Sequence, residues 1–224
     1  MDFPVLFINF KCYEQATGRK AVALARVAEK IAKSKGASIA LVPQAVDLRA
    51  VTASVSLPVF AQHVDPVSYG SHTGHALPEA FLEAGAVGTV LNHAENKRDN
   101  AFLEKAIRRA KEAGLLVMAC AESTERAVQI ASFPVKPDLI AIEPPELIGG
   151  STSVSSAKPG LITETIKAVE EISHIPVITG AGIKTSEDAR IALELGTKGV
   201  FVASGIVKAK EQGGAIRALL KGFE

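Results

Sequence analysis

Glu143 follows directly on the apolar run Leu139-Ile140-Ala141-Ile142, where a carboxylate is costly to desolvate unless it is hydrogen-bonded or put to use. Two other apolar runs end similarly, in Asn9-Phe10-Lys11 and in Asn92-His93-Ala94-Glu95. Acid, imidazole and ammonium together are the groups that move protons and hold developing negative charge. Alone, Lys11 reads as a solvated loop lysine and His93 as a packed histidine satisfied by its neighbours. Directly after a buried run, Lys11 instead brings a fixed positive charge that balances a phosphate dianion or an oxyanion. Two further runs end in Thr179-Gly180-Ala181-Gly182 and Ala203-Ser204-Gly205, both small and glycine-rich and each followed by a helical segment. Backbone amides approach an anion where side chains are absent, so these ends fit a phosphate cradle as well as simple tight turns.

These groups must be positioned by the elements that precede them. Eight short runs rich in β-branched residues recur at Val5 to Ile8, Ile39 to Val42, Val59 to Ala61, Val87 to Leu91, Leu115 to Cys120, Leu139 to Ile142, Val177 to Thr179 and Val200 to Ala203. Their starts lie about 28 residues apart on average, close to one βαβ unit. They are apolar on both faces and therefore predict buried parallel strands. Between them lie segments of helical period, such as Leu24, Val27, Ala28 and Ile31, or Leu103, Ala106, Ile107 and Ala110, with charge on the opposite face. Gly114 and Gly196 mark helix ends, Pro159 suits a first helical position, and Thr185 with Asp188 has capping-box spacing. Gln44 to Ser54 is the weakest helical segment.

Eight alternating units without a linker or a shift in composition predict an α/β chain that forms one closed (β/α)8 barrel, with residues 1–224 as a single domain. Two lobes of four units are the alternative, but nothing near Leu115 resembles an interdomain linker. In such a barrel the carboxyl ends of all eight strands share one mouth, which brings the polar stretches together.

Composition narrows the partners. The chain has 224 residues, 47% hydrophobic and 22% charged, with a formal net charge of +1, so no overall field exists to hold a nucleic acid or an anionic membrane. Scattered basic residues, two tyrosines and no tryptophan argue further against stacking on nucleic acid. No apolar stretch approaches the roughly 20 residues of a bilayer span. The opening Met1-Asp2-Phe3-Pro4 lacks the pattern of an export signal, and two unpaired-looking cysteines, Cys12 and Cys120, suit a reducing compartment; a cytoplasmic location is expected. His63, Asp65, His72 and His75 have spacing that could bind zinc, but no cysteine supports them and no metal is expected.

Asn9-Phe10-Lys11, Thr73-Gly74, Asn92-His93-Ala94-Glu95, Glu143-Pro144-Pro145-Glu146-Leu147-Ile148-Gly149, Gly180-Ala181-Gly182-Ile183 and Ala203-Ser204-Gly205 together resemble the triosephosphate isomerase family, in its short archaeal-type branch. The likeness runs from the first strand to the last. Three positions depart from the commoner family pattern: Phe10 where Trp is usual, Ala94 where Ser follows the histidine, and His75 where Glu follows Thr-Gly.

The resemblance implies interconversion of D-glyceraldehyde 3-phosphate and dihydroxyacetone phosphate through an enediolate, without a cofactor. It implies Glu143 as the base, His93 as a neutral electrophile, Lys11 as the fixed charge and Asn9 as a hydrogen-bond donor to substrate. A helix starting near Glu95 is expected to keep His93 neutral through its dipole. Glu95 itself reads either as an acceptor for a lysine or substrate, or as a helix N-terminal acid. Gly182, Ala203 and Ser204 would hold the phosphate. Pro144 to Ser151, stiff at one end and flexible at Gly149-Gly150, reads as a lid that packs Ile148 over the site and offers the Gly149 amide to the phosphate. The loop tipped by Thr73-Gly74 would insert into a second copy, giving a homodimer or tetramer. Another phosphate-binding barrel, a lyase or synthase, would share the glycine-rich ends. A noncatalytic sugar-phosphate binding module would use Lys11 and the glycine loops but leave Glu143 structural.

Overall fold

The computed structural model describes residues 2–150 and 153–224. Eight parallel strands, β1 (Val5–Asn9), β2 (Ser38–Val42), β3 (Phe60–Ala61), β4 (Gly88–Leu91), β5 (Leu116–Ala121), β6 (Leu139–Ile142), β7 (Val177–Gly180) and β8 (Gly199–Val202), form one sheet in the order β2-β1-β8-β7-β6-β5-β4-β3. The two outer strands meet at an isolated parallel bridge between Leu41 and Val59, where the Leu41 N–H donates to the Pro58 carbonyl at 2.9 Å. That bridge closes a (β/α)8 TIM barrel. Gln62 laces the same seam at the mouth, its Nε2 donating to the Lys11 carbonyl at 3.1 Å and the Val42 carbonyl at 3.2 Å.

The described helices are α1 (Arg19–Lys35), α2 (Ala45–Thr52), α3 (Pro78–Glu83), α4 (Asn100–Glu112), α5 (Thr124–Ala131), α6 (Val154–Ala157), α7 (Pro159–Glu170), α8 (Ser186–Glu194), α9 (Ser204–Val207) and α10 (Gln212–Leu220). The weak segment around Gln44 to Ser54 is a helix after all, two turns long. Their ends follow local chemistry. Asp99 caps α4 by accepting from the Phe102 N–H at 2.8 Å, Pro159 opens α7, and Thr185 with Asp188 forms the reciprocal capping box of α8. One sequence expectation fails here: the helix after β4 starts at Asn100, five residues beyond Glu95, because Asp99 rather than Glu95 supplies the cap.

Strand alternation sorts the core into two shells. Val5, Phe7, Ala40, Val42, Phe60, Val90, Met118, Cys120, Leu139, Ala141, Ile178 and Phe201 fill the barrel interior, with the Phe7 ring edge-on to Phe60 at 5.2 Å and to Phe201 at 6.2 Å. The intervening residues, such as Leu6, Ile8, Ile140 and Val200, pack under the helices beside Leu24, Ala28, Leu103 and Ile107. This alternation positions the site. Asn9 lies two residues past inward Phe7, Glu143 two past Ala141, and Ala203 two past Phe201, so the period of the strand carries each toward the top of the interior.

Between β3 and α3 runs the long loop of residues 62–77. Asp65 closes its base, the N–H donating to the Ala76 carbonyl at 2.8 Å and Oδ2 accepting from the Ala76 N–H at 2.7 Å. Its tip, including Tyr69, Thr73 and Gly74, is exposed. His63 pairs with Asp65 at the base at 3.2 Å, whereas His72 and His75 face each other at the tip. Among the described residues no three such side chains gather as a metal-holding group, and no helix is long and apolar enough to cross a membrane.

Candidate active site

Glu143 stands at the end of β6 with 6% of its surface exposed. Gly180 on the adjacent β7 makes this possible, since a Cβ there would run into the Glu143 carboxylate. Beneath it, on the inner face of β5, lies the buried Cys120 thiol. Burial pushes the Glu143 pKa up to about 7, against the weaker opposing pull of the Lys11 charge and the nearby Cys120 thiol. Its Oε2 is buried and finds no hydrogen-bond partner among the described residues.

His93 faces it, with Nε2 3.6 Å from Glu143 Oε2 and likewise buried without a partner. The opposite ring nitrogen, Nδ1, accepts from the Glu95 N–H at 3.2 Å. A neutral ring that accepts at Nδ1 carries its proton on Nε2, so the proton points into the site. Burial first, and then the Lys11 charge, lower the His93 pKa to about 4, which keeps the ring neutral. This replaces the helix dipole expected from the sequence: residues 94–99 are turn and loop, and α4 begins too far away.

Among the described residues three non-glycines have positive φ, and all three stand at this mouth: Lys11 at 46°, Asn92 at 59° and Ala181 at 69°. Such backbone is sparsely populated and persists only where the surroundings fix it. At Lys11 the fixing group is Asn9, whose Oδ1 accepts the Lys11 N–H at 2.9 Å. At Asn92 the side chain does the work itself, donating to the Cys120 carbonyl at 2.8 Å and accepting from the Arg98 N–H at 2.9 Å. The Lys11 ammonium then reaches Glu95 at 2.7 Å. Of the two sequence readings of Glu95, the structure gives the lysine acceptor and not the helix-terminal acid.

A cavity of about 210 Å³ brings Asn9, Lys11, His93, Glu143, Ile148, Gly149, Gly182, Ala203 and Ser204 together, all nine residues singled out from the sequence. Tyr13, Glu95 and Lys184 also line it. Ser204 and Gly205 open α9, where first-turn N–H groups have no intrahelical acceptor. The segment from Pro144 crosses above as a short 3-10 turn (Pro145–Leu147) and turns at Gly149, φ 71°; Ser151 lies outside the described residues. Beyond it, the Val154 N–H donates to the Ala181 carbonyl at 3.0 Å and Glu146 pairs with Lys158. A second cavity of about 470 Å³ adjoins the first, sharing Asn9, Lys11, Tyr13, His93 and Glu95 and extending over Cys12, Val42, Gln62, His63 and Asn96.

A parallel barrel whose carboxyl-end mouth gathers a buried acid, a neutral imidazole and a glycine-rich rim belongs to the class of (β/α)8-barrel enzymes that perform acid–base chemistry. A family model described as triosephosphate isomerase matches residues 4–220. Triosephosphate isomerase of Methanocaldococcus jannaschii is 42% identical over 218 residues, covering 97% of this chain and 99% of that protein. That of Methanothermus fervidus is 40% identical over 221 residues (98% and 99%), and that of Pyrobaculum calidifontis 44% over 222 residues (99% and 96%). The chain belongs to the triosephosphate isomerase family.

Proposed function

We propose that the chain, residues 1–224 acting as one domain, interconverts D-glyceraldehyde 3-phosphate and dihydroxyacetone phosphate by proton transfer through an enediolate. The observation that carries the residue roles is the pair of buried, unpartnered polar atoms, Glu143 Oε2 and His93 Nε2, facing one cavity 3.6 Å apart. Glu143 as carboxylate takes the proton from the carbon beside the carbonyl while the Nε2–H of His93 donates to the carbonyl oxygen. The enediolate forms as the C–H bond breaks, its charge held by Nε2–H and by the Lys11 ammonium. Glu143 returns the same proton to the neighbouring carbon, and the proton between the two oxygens passes by way of His93. Asn9 donates to a substrate oxygen, and the N–H groups of Gly149, Gly182 and the Ala203–Ser204 turn take the phosphate. Ile148 covers the intermediate.

The test is a coupled assay of glyceraldehyde 3-phosphate conversion on the wild type and on Glu143→Gln. Loss of kcat by about a thousandfold or more supports the assignment. An active variant removes Glu143 from the role of base, and an inactive folded wild type overturns the activity.

The assembly proposed is a homo-oligomer, dimer or tetramer, acting in the cytoplasm. The exposed tip of loop 62–77 and the open 470 Å³ cavity beside the site support insertion of Thr73 and Gly74 from a second copy. That insertion would cover Cys12 and complete the wall around Lys11 and His93.

A further inference from the structure

The charged side chains lining the 210 Å³ cavity are Lys11, Glu95, Glu143 and Lys184. Lys11 is already bound to Glu95, and Glu143 is an anion whenever it acts as a base. Without Lys184 the mouth would therefore receive a phosphate dianion with no uncompensated positive side chain. Lys184 takes part in no ion pair among the described residues. Asp188, one turn along the chain, is occupied: its Oδ2 accepts from the Lys184 N–H at 3.1 Å, the Thr185 N–H at 2.9 Å and the Thr185 hydroxyl at 2.8 Å. These bonds fix the Lys184 backbone and leave its ammonium free.

The path of the side chain is set as well. A Cβ placed on Gly205 would lie 3.3 Å from Lys184 Cγ, so the stem crosses the bare backbone that follows Ala203 and Ser204. Gly182, Ile183, Ala203 and Ser204 line the same end of the cavity. The residue thus joins a fixed root, a course over the glycine-rich rim and an unpaired charge.

We propose that Lys184 is a phosphate-site residue of the reaction proposed above, supplying a mobile positive charge that captures the dianion and holds it against the backbone amides. The proposal rests on that reading of the activity. An ammonium at the exposed rim acts on capture and ground-state binding more than on the proton transfer, and its action is screened by salt.

The experiment compares wild type, Lys184→Gln and Lys184→Arg with glyceraldehyde 3-phosphate between low and moderate ionic strength, alongside competitive inhibition by inorganic phosphate. In Lys184→Gln, KM is expected to rise about fivefold to tenfold, kcat to change by less than about twofold, and the fall of kcat/KM with salt to become shallower. The inhibition constant for phosphate should rise in step with KM, and Lys184→Arg should recover most of both. An inactive wild type overturns the activity and this inference together. An active wild type with unchanged KM and salt dependence in Lys184→Gln, or with the loss confined to kcat, overturns the Lys184 assignment alone.

Discussion

Glu143 and His93 are shifted in opposite directions by one cause, burial, and this gives the site a pH signature. As the proposed base Glu143 must be ionised to accept a proton, and its pKa lies near 7. The expected kcat/KM therefore falls about tenfold per pH unit below that point in a pH–rate profile, with no second loss from His93 until about pH 4. Stability moves as well. The folded protein retains the Glu143 proton that the unfolded chain releases between 4.5 and about 7, so this group makes the fold less stable as pH rises through that window. His93 acts oppositely, because the unfolded chain binds its proton between about 4 and 6.5 while the folded protein does not, so stability rises with pH there. Glu143→Gln removes only the first contribution. Relative to wild type it should gain about 1 to 3 kcal/mol as pH is raised from 4.5 to 7.5, measured by denaturant unfolding. A pH-independent difference would mean that the carboxyl is not buried as described. Gly180→Ala tests the same carboxylate from its neighbour: the added Cβ displaces Glu143, and kcat should fall by about tenfold or more while the substrate KM changes less.

At the scale of the element, the segment after β6 is the proposed lid. Gly149 occupies positive φ, which proline cannot adopt, and a substituent on Gly150 would press on the Leu147 carbonyl. Gly149→Pro with Gly150→Pro should lower turnover and increase methylglyoxal and free phosphate, because an enediolate left open to water expels its phosphate. An unchanged ratio of methylglyoxal to isomerised product would refute the lid. A simpler element test is Thr185→Ala, which removes one arm of the α8 capping box and should cost about 1 kcal/mol in chemical denaturation.

The elements were largely legible because each has a local cause. Parallel strands buried on both faces read as uninterrupted apolar runs, and alternation from Phe7, Ala141 and Phe201 places Asn9, Glu143 and Ala203 without tertiary information. The start of α4 differs from the sequence expectation because Glu95, an acid after a strand, imitates a helix N-terminus. Asp99, three residues before Phe102 and four before Leu103, was the better local signal. Cys120 and Lys184 were not identifiable as neighbours of the site, since their positions depend on pairing across β5 and β6 and on the packing of two loops distant in sequence. Short α6 also left no readable trace: four residues beginning Val-Ser-Ser lack a period of their own.

At the scale of the molecule, seven strand junctions are hydrogen-bonded ladders and the eighth is a single bridge between Leu41 and Val59. β3 is only two residues long, so little backbone pairing holds this side. The loop proposed to reach a second copy springs from the same strand. Deleting residues 68–75 should convert the assembly to monomers in sedimentation velocity, and a deletion variant that still dimerises would refute that contact.

The narrow junction also implies a place where the hoop unclasps first. Amide hydrogen exchange at Leu41, Phe60 and Ala61 should outpace exchange at Leu6 and Ile140, which sit in full ladders, and breathing there would widen the 470 Å³ cavity. A second copy seated over that cavity would act as a hasp across the gap. Slower exchange at the β2–β3 junction with rising protein concentration, while β6 and β7 stay unchanged, would then report self-association from inside the barrel wall.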